Sequence, residues 1–195
     1  MTRRAATARH RLAIAAAATV VAAGIAACGS SASSPPAPAP PAPLLPARAL
    51  PELHSTARAL DRAALALATP IPGLRERLDG WGFRRAGERE FTGRSQDLVH
   101  VVARTVDFAR PDGAAAYART LAARTASYLG SGAEVRTLRL DGRTGWLIRA
   151  PNCGCHPQPP ALIVLVHRGP RVSFLSAAGD AASPARVRAL ARGLP

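Results

Sequence analysis

The sequence predicts a single α+β domain, in which helices cover a mainly antiparallel sheet of about six strands. Three observations lead to this prediction. Short runs of large apolar residues are separated by turn residues, as in a sheet protein. Helical periodicity appears at the start, the middle and the end of the domain. The strands follow one another without the strict alternation with helices that a parallel sheet requires. The predicted element order is α-β-β-α-β-β-β-β-α.

The first helix is predicted over residues 53–67. Its apolar residues recur at spacings of 4, 3, 4 and 3, and they are Leu53, Ala57, Leu60, Ala64 and Leu67. This spacing places them on one face of an amphipathic helix. The run from Thr69 to Gly73 ends the helix, since its two prolines cannot continue the hydrogen bonding. One further helical turn is predicted over residues 74–78.

Two strands and the second helix follow. Apolar and aromatic residues predict strands over residues 81–91 and 98–108, the second with Leu98, Val102, Val106 and Phe108 on one face. Pro111 then begins a helix, because proline fits the first helical turn. Gly130 ends that helix.

Two hairpins and a last helix complete the domain. Asp141-Gly142 favours a tight turn between strands at 133–140 and 143–150, because both turn residues must adopt positive φ. A second pair is predicted at 161–167 and 171–177. Residues 162–166 are apolar on both faces, so this strand is expected at the centre of the sheet. Ser183 and Pro184 suit the cap and first turn of a final helix.

This element order resembles the α/β/α sandwich of Mog1 and PsbP-type proteins and of some actinobacterial surface lipoproteins. The resemblance is one of element order and carries no residue motif. It implies a binding or accessory role without naming a ligand, because one fold serves many functions.

The N-terminal sequence predicts a leader. Four arginines precede an apolar run that ends at Ala27 and is too short to span a membrane comfortably, as in a signal peptide. The sequence Ile25-Ala26-Ala27-Cys28 resembles the bacterial lipobox. That resemblance implies cleavage after residue 27, lipidation of Cys28, and an anchor on the extracytoplasmic face of the cell membrane.

A tether is expected between the anchor and the domain. Residues 29–46 are almost exclusively Ser, Ala and Pro, a composition that cannot pack a core. The predicted organisation is therefore a signal peptide at 1–27, a lipidated cysteine and tether at 28–50, and one domain at 51–195.

The chain is strongly basic, with a formal charge of +14, and every basic residue is arginine. An all-arginine, alanine-rich chain is typical of a GC-rich, actinobacterium-like genome. Removal of residues 1–27 deletes four arginines and no acid, which leaves +10. Such a charge attracts anionic headgroups or wall polymers. Nucleic-acid binding is not expected, because the arginines are dispersed and aromatic residues make up only 4%.

The segment Cys153-Gly154-Cys155-His156 leaves three interpretations open. Lipidation of Cys28 leaves Cys153 and Cys155 as a pair, which favours a disulfide outside the membrane. One alternative is that the two thiols are inert or in a mixed state. The other is metal or redox chemistry that uses Cys153, Cys155 and His156, since thiolates and imidazole bind soft metals. No second cluster of cysteine and histidine accompanies them in the sequence.

No catalytic motif or cofactor fingerprint is recognisable, so an enzyme is not expected. The sequence favours a monomeric binding or accessory lipoprotein whose partner is an envelope protein or a small apolar ligand. The expected binding rim consists of Arg149, His156, Arg168 and Arg171. A thiol-redox or metal-handling protein is the alternative.

Overall fold

The computed structural model describes residues 42–69, 71–93, 98–130, 132–150, 161–180 and 182–195, which fall within one unit of the chain. Within them the strands are β1 (His54–Leu60), β2 (Phe83–Thr92), β3 (His100–Phe108), β4 (Glu134–Leu140), β5 (Arg143–Arg149), β6 (Ala161–Arg168) and β7 (Arg171–Ala178). The helices are α1 (Arg62–Leu67), α2 (Leu74–Gly80), α3 (Pro111–Leu129) and α4 (Pro184–Arg192), and a 3₁₀ turn covers Ala47–Ala49.

The strands form one sheet in the order β1-β2-β3-β7-β6-β5-β4, and every neighbouring pair is antiparallel. The predicted α+β class with a mainly antiparallel sheet is confirmed, whereas the strand number and the element order are corrected. Strand β6 lies between β5 and β7 and contacts both α3 and α4, as its two apolar faces predict. Asp141 and Gly142 adopt φ of 49° and 75°, the turn geometry that their sequence predicts.

The predicted first helix over residues 53–67 is wrong. Residues His54–Leu60 form the edge strand β1, and only Arg62–Leu67 are helical. Ala57 and Leu67 are exposed, so the apolar spacing does not mark one buried face. Seven residue pairs with β2 supply β1 with backbone hydrogen-bond partners, and this pairing outweighs a periodicity that rests partly on alanine.

Two cores lie on opposite faces of the sheet. On one face α3 packs with Tyr117 and Leu121 against a cluster that includes Phe108. On the other face α4 packs with Val187 against buried residues of the central strands, among them Val164. The helices therefore cover both faces, as expected.

Helix α4 begins with the predicted cap. The hydroxyl of Ser183 accepts a hydrogen bond from the backbone N–H of Arg186 at 3.2 Å, and Pro184 occupies the first turn. This bond satisfies one of the backbone donors that the start of a helix leaves without a partner. The beginning of α4 is thus determined by its local sequence.

The packed part of the chain begins before residue 51. Leu45 and Leu50, which the sequence assigns to the tether, are buried in the same core as α4. Gly87 of β2 allows this approach, because a Cβ there would lie 3.1 Å from the carbonyl oxygen of Ala42. The domain therefore includes residues 42–50.

Several predicted features lie outside the described residues. They are the leader, Cys28, most of the tether, and the segment with Cys153, Cys155 and His156.

Candidate functional site

A row of charged side chains crosses one end of the sheet. Asp107 at the end of β3 is paired with Arg85 of β2 on one side and with Arg171 of β7 on the other. Arg171 is paired in turn with Arg168 of β6. Because directly opposed residues of neighbouring strands share a face, these four side chains form one row, which we call the arginine row.

Asp107 is the acidic member of the arginine row. Arg171 Nε donates to Asp107 Oδ1 at 2.7 Å, and Arg85 Nε donates to Oδ2 at 2.9 Å. Burial alone would raise the pKa of Asp107, but the hydrogen bonds and charges of Arg171 and Arg85 outweigh it and hold the pKa below its ordinary value. Asp107 therefore stays ionised and fixes both guanidinium groups.

A β-bulge adds Arg84 to the same end of the sheet. Phe83 is paired with Phe108 and Arg85 with Asp107, so the register shifts at Arg84. Adjacent residues of a regular strand point to opposite faces, whereas a bulge redirects one of them. Arg84 and Arg85 consequently line the same cavity.

Arg143 joins the end of α4 to the sheet. Its buried guanidinium donates to the carbonyl oxygens of Leu194 at 2.9 Å and Ala191 at 3.2 Å. These carbonyls lie at the C-terminal end of α4, where helix carbonyls lack partners within the helix. Arg143 thereby holds the segment that carries Arg192 beside the arginine row.

These elements enclose an open cavity of about 760 Å³. Its charged lining consists of Arg84, Arg85, Arg143, Arg168, Arg171, Arg192, Asp107 and Asp141. Its apolar lining includes Phe108, Pro170, Leu194 and Pro195. We call this the arginine cavity.

The arginine cavity carries excess positive charge. Six arginines face two aspartates, and a surplus of three remains even if Pro195 contributes a carboxylate. Among the residues that the structure describes, Arg84, Arg168 and Arg192 form no ion pair, and all three are exposed. Unpaired guanidinium groups around a concave surface attract anions and can bind their oxygens through two N–H groups at once.

The predicted binding rim is divided by the structure. Arg168 and Arg171 lie together in the arginine cavity. Arg149 lies at the opposite end of β5 and lines a separate cavity of only about 80 Å³. Arg149 is therefore not part of the same site. His156 lies outside the described residues.

Sequence reasoning missed Arg84, Arg85, Asp107, Arg143 and Arg192. Each lies near the beginning or end of a strand or helix. Charged residues at the ends of the predicted elements were therefore the signal that could have identified them. The pairing of β3 with β7 brings the end of β3 beside the beginning of β7. No local sequence pattern predicts that long-range pairing.

A second charged cluster is buried on the α3 side of the sheet. Arg104 donates to Glu88 Oε2 through Nε at 2.8 Å, and Arg58 donates to Oε1 at 2.6 Å. Arg104 also donates to the hydroxyl of Thr69 at 3.1 Å. Burial would raise the pKa of Glu88, but Arg104 and Arg58 outweigh it and lower the pKa. Both carboxylate oxygens are occupied, so this cluster is a structural ion pair.

Two further observations concern the described part of the chain. No group of three or more histidine, cysteine, aspartate or glutamate side chains there is arranged to hold a metal ion. No helix in it has the length and apolar character needed to cross a membrane.

The chain matches no family model and no curated protein. Among solved structures, it is similar to the extracellular domain of PknH from Mycobacterium tuberculosis, with a TM-score of 0.42 and 13% sequence identity. That similarity covers 75% of this chain and 86% of the other.

Proposed function

We propose that this protein is a lipoprotein, anchored through Cys28 on the extracytoplasmic face of the cell membrane, and that its domain binds an anionic ligand in the arginine cavity. The observation that carries the binding proposal is the set of three arginines, Arg84, Arg168 and Arg192, that line one cavity without an ion pair among the described residues.

The charge of the cavity favours an anion over the small apolar ligand expected from the sequence. An apolar molecule would have to displace water from exposed guanidinium groups without replacing their hydrogen bonds, which is unfavourable. An anion gains charge-assisted hydrogen bonds at the same place. Asp107 holds Arg85 and Arg171 in ion pairs, so the anion is bound by the remaining arginines of the cavity, Arg84, Arg168 and Arg192.

The anchor proposal rests on the sequence of the leader. Ile25-Ala26-Ala27-Cys28 supplies the small residues and the thiol that lipoprotein processing requires. Metabolic labelling with an alkyne fatty acid tests it in a bacterium that processes lipoproteins. The wild-type chain should be labelled and membrane-bound, and Cys28→Ser should not be labelled. Equal labelling of both chains would contradict the anchor.

Calorimetry tests the binding proposal on the full chain in a non-ionic detergent. Benzoate and phenyl sulfate are the anionic probes, and benzamide is an uncharged probe of similar shape. The anions should bind and benzamide should not, with affinity that falls as salt is added. Arg168→Gln should weaken binding, whereas Arg149→Gln, at the other end of the sheet, should not. Binding that is equal for benzamide and the anions, or absent both for these probes and for phenyl phosphate, would contradict the proposal.

A further inference from the structure

We infer that the ligand of the arginine cavity is a phosphate monoester with an apolar body. This inference rests on the proposed function, because it names the class of anion that the cavity takes. Arg84, Arg168 and Arg192 bind the phosphate, and the apolar part of the lining receives the rest of the molecule.

The number of cavity arginines that form no ion pair within the described part of the chain favours phosphate. A carboxylate has one negative charge and two oxygens, so it is suited to one or two guanidinium groups. A phosphate monoester has three terminal oxygens and nearly two charges at neutral pH. Three arginines without an ion pair among the described residues, and a surplus of three positive charges in the cavity lining, match the second group better.

Arg85 and Arg171 are engaged with Asp107, which leaves the ligand to the other arginines of the cavity. Arg171 donates to both oxygens of Asp107, at 2.7 Å and 3.1 Å, and Arg85 donates to one of them. An anion that displaced Asp107 would leave a half-buried carboxylate without its partners, which is costly. Binding by Arg84, Arg168 and Arg192 avoids that cost.

The size and lining of the cavity indicate the rest of the ligand. A volume of about 760 Å³ is within the range of small-molecule sites and far exceeds what one phosphate fills. Phe108 and Leu194 line the cavity but are buried, whereas Pro170 is exposed and Pro195 is partly exposed. Pro170 and Pro195 therefore offer accessible apolar surface beside the arginines, and an apolar or aromatic body gains from burial there.

A soluble phosphate ester and the headgroup of a phosphomonoester lipid share this chemistry, and two arms of the experiment separate them. The first arm titrates the full chain in detergent with phenyl phosphate, phenyl sulfate and benzoate, which share a ring and differ in charge and oxygens. The second arm measures co-sedimentation of detergent-free Cys28→Ser chain with vesicles of phosphatidylcholine and phosphatidic acid. Vesicles of equal surface charge that contain phosphatidylglycerol, a phosphodiester, are the control.

Phenyl phosphate should bind at least about tenfold more tightly than phenyl sulfate or benzoate at pH 8. Arg84→Gln, Arg168→Gln and Arg192→Gln should each weaken it about tenfold, a loss of about 1.4 kcal/mol, and Arg149→Gln should leave it unchanged. Stronger sedimentation with phosphatidic acid than with phosphatidylglycerol, with the same dependence on Arg168, supports a lipid source. Phenyl phosphate binding alone supports a soluble one.

Equal affinity for the three probes would overturn the phosphate inference and leave the anion-binding function intact. Binding of none of them would overturn both. Loss of binding in Arg149→Gln to the same extent as in Arg168→Gln would also overturn the inference, because attraction would then depend on total charge.

Discussion

Asp107 and Arg171 face each other across β3 and β7, and Arg171 Nε donates to Asp107 Oδ1 at 2.7 Å. This pair determines which arginines of the cavity remain available to bind a ligand. Arg171 and Arg85 are held by Asp107, whereas Arg168, directly opposite Arg171 in the sheet, forms no ion pair among the described residues. The candidate ligand-binding groups are therefore the cavity arginines to which the described residues supply no ion-pair partner.

Acid should destabilise the domain. The pKa values of Asp107 and Glu88 are lower in the folded chain than their ordinary values of 3.8 and 4.5. Their contribution to stability is complete above those ordinary values and is lost as pH falls through the lower, folded values. Urea unfolding between about pH 7 and about pH 3 should show a decline that begins near pH 4.5. The free energy of unfolding of Asp107→Asn should decline less over this pH range than that of the wild type. An equal decline would contradict a contribution of ionised Asp107 to stability.

Glu88→Gln should lower the free energy of unfolding by about 3 kcal/mol, because loss of one partner from a buried ion pair leaves Arg104 uncompensated. Thermal and urea unfolding measure the change. Glu76→Gln is the matched control, since Glu76 is exposed on α2 and forms no ion pair among the described residues. Equal effects of the two substitutions would show that burial of Glu88 is unimportant.

Gly145→Ala should destabilise the sheet by about 3 kcal/mol, at the upper end of overpacking effects. A Cβ at Gly145 would lie 1.8 Å from the carbonyl oxygen of Leu165 in β6, so the backbone would have to move. Gly80→Ala is the control, because a Cβ there meets nothing within 4 Å. Urea unfolding should separate the two variants, and similar stability of both would contradict the close approach of β5 and β6.

The oxidation state and metal content of Cys153 and Cys155 distinguish the three interpretations of their segment: a disulfide, inert thiols and a metal or redox site. Titration of thiols in the unfolded, unreduced, lipidated protein should find none if the cysteines form a disulfide. Two free thiols, together with bound metal in elemental analysis, would support the metal-handling alternative and exclude the disulfide.

Local patterns predict much of this fold. The Asp141-Gly142 turn, the doubly apolar β6 and the cap at Ser183 are each determined by neighbouring residues, and the structure agrees with all three. Local patterns do not predict strand β1, because this strand is stabilised by pairing with β2, which is distant in sequence. The apolar periodicity of that segment predicts a helix instead.

The candidate site is predictable only in part. Arg168 and Arg171 flank a recognisable turn, so the sequence places them together. Asp107 comes beside Arg171 only because β7 pairs with β3. Arg84 enters the cavity through a bulge, and a bulge of this kind depends on the pairing of two whole strands.

The most direct test of the central claim is an NMR titration that follows the Nε–Hε signals of the arginines as phenyl phosphate is added, with assignments from single Arg→Gln variants. The signals of Arg84, Arg168 and Arg192 should move together and saturate, while that of Arg149 stays in place. Small, unsaturated shifts spread evenly over all arginines would contradict a binding site in the arginine cavity.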